Sequence, residues 1–241
     1  MARIIIVEGL SGTGKSTSWE HIPEKEAFVI SPNGKPFPFR GAKKKYQPYN
    51  NETGTGNMIV TNKINEVGPS LNWLNANAPH VKYILIDDFT HFFSARTLSA
   101  DFRAKSTGKD TFGRWADFGA DVYSSVFELA PSMREDLTIV INHHTEMKDE
   151  GYVGFKTSGK LLDREVDPVS HVTYVFHSRV IPGENGNSSY VFMTNTDGQF
   201  QCKTPKGCFT EQFIPNDMFA AIKAIEAYEN GDEPTPQQPA Q

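Results

Sequence analysis

Hydrophobic residues in this chain gather into short unbroken runs, and each run ends abruptly in polar residues. "RIIIV" (3–7), "AFVIS" (27–31), "YILIDD" (83–88) and "LTIVINHH" (137–144) carry apolar stretches without alternation. Runs of this kind, rich in Ile and Val, are the pattern of parallel strands buried on both faces. Between them the spacing changes to that of helices. "TNKINEVGPSLNWLNANAP" sets Ile64, Val67, Leu71 and Leu74 on one stripe, with Gly68-Pro69 a potential break. "RWADFGADVYSSVFELA" does the same with Trp115, Phe118, Val122, Val126 and Leu129. "HVTYVFHS" (171–178) and "SSYVFMTNT" (188–196) flank a Gly- and Asn-rich stretch and predict a hairpin. "NDMFAAIKAIEAYENG" predicts a capped helix from Asn216 to Gly231. Strands alternating with helices predict an α/β domain with a mostly parallel sheet, ending in a β-hairpin region and a terminal helix.

Composition narrows this. With 241 residues, the chain fits one α/β domain over 1–230, and the Pro- and Gln-rich 231–241 predict a disordered tail. Net charge is −5, which argues against a surface coated in basic residues for indiscriminate nucleic-acid binding, yet leaves room for local basic loops. No apolar run approaches the ~18 residues of a membrane span, and the opening "IIIV" is short for a signal peptide. Cys202 and Cys208 supply neither a disulfide framework nor a zinc quartet, so a reducing, cytoplasmic setting is expected.

The first run leads into "GLSGTGKST", where Gly9, Leu10, Ser11, Gly12, Thr13, Gly14, Lys15, Ser16 and Thr17 satisfy G-x-x-x-x-G-K-[ST]. Context supports the pattern, because a buried strand precedes it and a short helix can begin at Ser16 before Pro23. Glycines let backbone N–H groups turn toward phosphates. Lys15 is placed to neutralise the β- and γ-phosphates of ATP, and the Ser16 hydroxyl to ligate Mg²⁺. A P-loop also needs an acid at the end of a nearby parallel strand. "YILIDDF" supplies Asp87 for the metal and leaves Asp88 to orient or deprotonate the attacking water, with Glu8 and Glu146 competing for that role. One strand later, Asn142 and His143 are the candidates to touch the γ-phosphate.

The arrangement resembles the RecA-like core of P-loop ATPases, and more closely a group of bacteriophage-encoded ATP-binding proteins. The resemblance is carried by Gly14 to Thr17, "IDDF" at Ile86 to Phe89, "KTSGKLLD" at Lys156 to Asp163, and Thr196 to Phe209. The group includes the Sak-type single-strand annealing ATPases. The resemblance implies an ATPase working with single-stranded DNA in phage recombination or replication, in the host cell cytoplasm. It also implies a homo-oligomeric ring or filament and a single-strand binding protein as a further partner. RecA-like proteins often carry a catalytic Glu after the second strand, and "VISPNGK" has none.

In RecA-like cores the loops after the metal-Asp strand and the sensor strand face the filament axis. Here these hold Arg103, Lys105, Lys109 and Phe112, then Lys148, Tyr152, Phe155 and Lys156. Basic residues interleaved with aromatics suit a single strand bound without sequence readout. "GAKKKYQPY" (41–49) is a third basic patch and an alternative contact. Lys156, Lys160, Arg164 and Arg179 are candidates for a finger reaching a neighbour's γ-phosphate. Two other classes compete: a small-molecule kinase, whose loop also reads like "GLSGTGKST", and a non-enzymatic, nucleotide-gated adaptor. A kinase needs an arginine-rich lid, and no Arg cluster stands at suitable spacing.

Overall fold

The unbroken apolar runs form the middle of one eight-stranded sheet. The computed structural model describes residues 1–104, 112–158, 162, 167–183 and 186–232. Its strands are β1 Arg3–Glu8, β2 Ala27–Ser31, β3 Met58–Val60, β4 Tyr83–Ile86, β5 Thr138–His143, β6 Thr145–Met147, β7 Val153–Phe155, β8 Tyr174–Pro182, β9 Ser188–Met193 and β10 Phe213–Pro215. The large sheet runs β10-β9-β8-β1-β5-β4-β2-β3, and β6 pairs with β7 in a separate two-stranded sheet. From β8 to β3 every pairing is parallel; β9 and β10 add antiparallel. Central strands β1, β4 and β5 are buried almost throughout, which is why their sequences show no alternation.

The helices are α1 Ala42–Lys45, α2 Val67–Asn77, α3 Phe89–Leu98, α4 Ala100–Ala104, α5 Gly113–Val122 and α6 Met218–Asn230. Pro69 does not break α2, because it falls in the first turn, where its missing N–H has no intrahelical acceptor. The stripe predicted over 114–130 changes at Tyr123 into a π-helical turn, Tyr123–Phe127. Asp217 caps α6 by accepting from the Ala220 N–H at 3.1 Å, and Gly231 ends it in left-handed backbone. The rest of the predicted tail, 233–241, lies outside the described residues.

Side chains alternate across the sheet, so each face has its own core. Ile4, Ile6, Ile84, Ile86, Ile139 and Ile141 pack against Leu71, Phe89, Phe93 and Phe118. Ile5, Val7, Val29, Leu85 and Val140 pack on the other side with Trp19, Phe37, Ile222 and Ile225. Because β5 lies between β1 and β4, whatever stands at its carboxyl end lies between the glycine loop and the acids after β4. Among the described residues, no helix is long and apolar enough to cross a membrane.

Candidate nucleotide site

The loop between β1 and the next element is shaped by glycine. Gly14 has a φ of 94°, and an added Cβ would lie 2.9 Å from both Asn216 Oδ1 and the Tyr190 ring. At Gly9, a Cβ would lie 2.7 Å from the Ser178 carbonyl. A side chain at either place would displace the loop. Its outer side is pinned from β8 and the residue before α6: Ser178 Oγ donates to the Thr13 carbonyl at 2.6 Å, and Asn216 Nδ2 donates to Ser178 Oγ at 3.1 Å. Thr13 Oγ1 closes the loop on the Leu10 carbonyl at 2.9 Å, leaving Leu10 and Ser11 exposed at the tip. The helix expected after Lys15 is only a single 3₁₀ turn, Thr17–Trp19. With so short a turn the helix dipole adds little, and the cradle relies on loop N–H groups and the lysine.

Lys15 Nζ lies over the loop and donates to the carbonyls of Gly9 and Leu10, each at 2.7 Å. Burial lowers its pKa to about 8, against the pull of Asp88 and Asp87. Ser16 Oγ donates to Asp87 Oδ1 at 2.7 Å, and Asn142 Nδ2 reaches the same oxygen at 3.2 Å. Asp87 is buried, and that burial raises its pKa, opposed by the Ser16 and Asn142 hydrogen bonds. Asn142 Oδ1 is buried without a hydrogen-bond partner.

Asp88 departs from the rest of the chain. Among the described residues it is the one non-glycine with positive φ, at 44°. It occupies the position before α3 without capping that helix through its side chain. Its carboxylate instead faces His144, with Oδ1 3.6 Å from Nε2. His144 Nδ1 lies 3.5 Å from Lys15 Nζ, so the imidazole stands between the P-loop lysine and Asp88. Left-handed backbone on a non-glycine residue costs free energy, and it is held here by the packed Phe89 that follows.

His143, expected at the γ-phosphate, points the other way. It is fully buried on the α3 face, bonds the Lys156 carbonyl through Nε2 at 2.6 Å, and stacks on Phe155 at 3.3 Å. The correction follows from strand alternation: with Asn142 on the cradle face, His144 shares that face and His143 cannot. Glu8 is also on the far face, buried beside His177, and Glu146 bonds Lys148 and the Thr157 N–H. Of the three carboxylates weighed for water activation, only Asp88 lines the cavity.

That cavity measures about 610 Å³ and runs from Gly14–Thr17 across Asp87, Asp88, Asn142 and His144. Lys35 to Pro38 wall one side and Tyr190, 50% exposed, stands at the other. The volume is that of a small-molecule pocket. Sequence reasoning missed Lys35, His144, Ser178, Tyr190 and Asn216. Only His144 was recoverable, from its two-residue offset to Asn142.

The other expected residues disperse. Lys148 is only 13% exposed at its side chain and pairs with Glu146 at 3.0 Å, so it does not project to solvent as a phosphate contact would. Arg103 and Lys156 are exposed. Arg179 is held over Phe200 at 4.3 Å, not extended outward as a finger would be. Lys105, Lys109, Lys160 and Arg164 lie outside the described residues.

A glycine cradle, its lysine and hydroxyl, and an acid reached across an intervening parallel strand decide the architecture. This is a P-loop NTPase fold. No protein-family model matches the chain, and no curated protein matches it. Among solved structures, the X-ray structure of the Legionella pneumophila ATPase DotB matches 95% of this chain at 11% identity, with a TM-score of 0.37. This chain spans about half of that one, 52% of its length, and a likeness at this level carries no functional argument.

Proposed function

We propose that the chain is a Mg²⁺-dependent ATPase whose nucleotide cycle is coupled to single-stranded DNA, in a phage recombination or replication setting. The observation that carries the ATPase part is the convergence of Lys15, Ser16, Asp87, Asn142, Asp88 and His144 on one cavity of about 610 Å³. The donor set fits Mg²⁺: one hydroxyl and one carboxylate side by side, with the remaining positions for water and phosphate. Bound there, Mg²⁺ would neutralise charge on the phosphates.

This chain's residues divide the remaining work. The loop N–H groups and Lys15 hold the phosphates, once the ammonium leaves the Gly9 and Leu10 carbonyls. Ser16 and Asp87 hold the metal. Asp88 orients the attacking water and takes its proton, and His144, between Asp88 and Lys15, positions that carboxylate. Among the described residues Lys15 and Lys35 are the cations that line the cavity, and in this reading a neighbouring copy adds further charge at the transition state. In the homo-oligomeric reading Lys156 is the described finger candidate, since Arg179 is held over Phe200. The lack of an arginine cluster in the sequence weighs against a kinase, which closes arginines over its donor. Exposed Arg103 and Lys156 support the single-strand coupling. A single-strand binding protein remains a further partner of this reading.

Phosphate release from ATP and Mg²⁺, with and without oligo-dT and against a panel of phosphate acceptors, tests the proposal. Hydrolysis that falls at least about a hundredfold in Asp88→Asn supports it. Phosphate appearing on an acceptor moves the chain to the kinases. Tight nucleotide binding without turnover under any condition leaves the adaptor.

A further inference from the structure

A second cleft, of about 620 Å³, lies at the β2–β3 end of the sheet and shares no lining residue with the nucleotide cavity. One wall is Trp73 of α2, 44% exposed although its neighbour Leu74 is fully buried. Trp73 meets Tyr49 edge-on at 5.7 Å, and Tyr49 meets Phe28 at 5.7 Å, so the exposed indole is anchored through Tyr49 to β2. A large ring fixed this way and left in solvent is a platform.

Lys25 and Lys44 also line the cleft, and both are exposed. No ion pair involves Lys25, Lys43 or Lys44 among the described residues, whereas Lys45 is occupied by the Trp19 and Glu20 carbonyls. The chain as a whole is acidic, at −5, so two exposed lysines without an ion pair on one cleft can draw an anion locally. Glu24 is the one acid in the lining. Asn77 and Gln47 each spend an amide N–H on a backbone carbonyl, of Trp73 and of Lys44, which leaves their side-chain oxygens as acceptors.

We propose that this cleft binds single-stranded nucleic acid, with a base stacked on Trp73 and flanking phosphates on Lys25 and Lys44. The inference rests on the single-strand part of the proposed function, but moves the contact from the loops around Arg103 and Lys156 to the cleft beside β2 and β3. A ring platform beside cations and amide acceptors matches a splayed base and its backbone; a duplex, with its bases stacked inside, offers nothing to the indole. The cleft is also tied to the nucleotide site. The α1 turn that carries Lys44 is fastened through Lys45 to the Trp19 carbonyl at 3.3 Å, in the turn leaving the P-loop.

The three tryptophans give the test its signal, because Trp19 is fully buried, Trp115 is half-buried, and Trp73 is exposed. Full-length protein is titrated with oligo-dT, following both tryptophan fluorescence and the anisotropy of labelled oligonucleotide. Quenching is expected in wild type and lost in Trp73→Phe. Trp73→Ala is expected to weaken binding about fivefold or more. Lys25→Glu combined with Lys44→Glu, both surface changes, should weaken it further and flatten the log–log salt slope by about 1.4, roughly 0.7 per lost phosphate contact. ATP binding should be unchanged in every groove variant. Wild-type binding that survives all groove variants but falls in Lys156→Glu overturns the groove while keeping the single-strand reading. No oligonucleotide binding by wild type, with or without a non-hydrolysable ATP analogue, removes that reading and the groove together. Equal competition by polyglutamate overturns the groove, since charge alone would then explain the signal.

Discussion

Two sets of polar side chains stand near the carboxyl ends of the parallel strands, one on each face of the sheet. On the cradle face Asn142 bonds Asp87, both line an open cavity, and Ser178 braces the glycine loop through the Thr13 carbonyl. On the α3 face Glu8, His143 and His177 occupy adjacent register positions but are enclosed, with Glu8 Oε2 and His143 Nδ1 buried and unpaired. Phe155 and Phe200 cover the two histidines. Burial raises the Glu8 pKa well above its ordinary value and lowers that of His177 to about 4. Burial therefore disfavours the charged form of both partners in this 3.4 Å contact. Adjacent positions, Asn142 and His143 on β5 and Ser178 and His177 on β8, are chemistry on one side and core on the other. Access to solvent and to a ligand makes the difference.

The largest test of this comparison is Lys15→Ala. Nucleotide affinity should fall by about a hundredfold or more, because a charged donor to phosphate is lost. The melting temperature should hold, since the change also removes a desolvated charge. Unfolding in a thermal melt, or unchanged affinity by titration calorimetry, would break the assignment of the cradle face.

Next come the two aspartates. Asp87→Asn is expected to weaken Mg²⁺-dependent nucleotide binding, whereas Asp88→Asn should keep binding and lose turnover by about 10²–10⁴-fold. Single-turnover hydrolysis beside equilibrium binding separates them. Full activity in Asp88→Asn would return the water-activating role to another group.

The histidine pair sharpens the contrast directly. His144→Ala should lower kcat by roughly tenfold while leaving stability nearly unchanged. His143→Leu should do the reverse, costing about 1–2 kcal/mol through the lost bond to the Lys156 carbonyl, with kcat intact. Reversed outcomes, read from denaturant melts and initial rates, would mean that the two faces are misassigned.

The smallest effect concerns Glu8 and is a matter of pH. A carboxyl whose folded pKa is raised holds its proton more tightly when folded. Wild type therefore loses stability as pH rises from the ordinary value of 4.5 toward the folded one. Glu8→Gln lacks that loss. It should melt higher than wild type at pH 8, with the gap widening as pH rises above the ordinary carboxyl value. The difference should vanish below pH 4.5. A constant difference across pH would show that packing, not ionisation, sets the cost.

Much of this was legible in the chain itself. Unbroken runs such as "RIIIV" and "YILI" named the parallel strands, because a strand covered on both faces has no polar side to show. The cradle was legible because loop geometry, phosphate and metal each demand a residue type at a fixed local spacing, from Gly9 to Ser16. Asp87 followed for the same reason, at the end of a strand. What tertiary structure alone decided was which side of the sheet each polar residue faces and which residues arrive from far along the chain. His143 and His144 read alike as letters, and only the strand's phase separates them. Lys148 and Arg179 read as free charges until their partners, Glu146 and Phe200, were folded against them. Tyr190 and Asn216 reach Gly14 from over 170 residues away, and Trp73 meets Tyr49 across two elements. Local spacing encodes what the backbone must do within a few residues. Contacts between distant segments depend on sheet order and packing, which no short stretch of sequence contains.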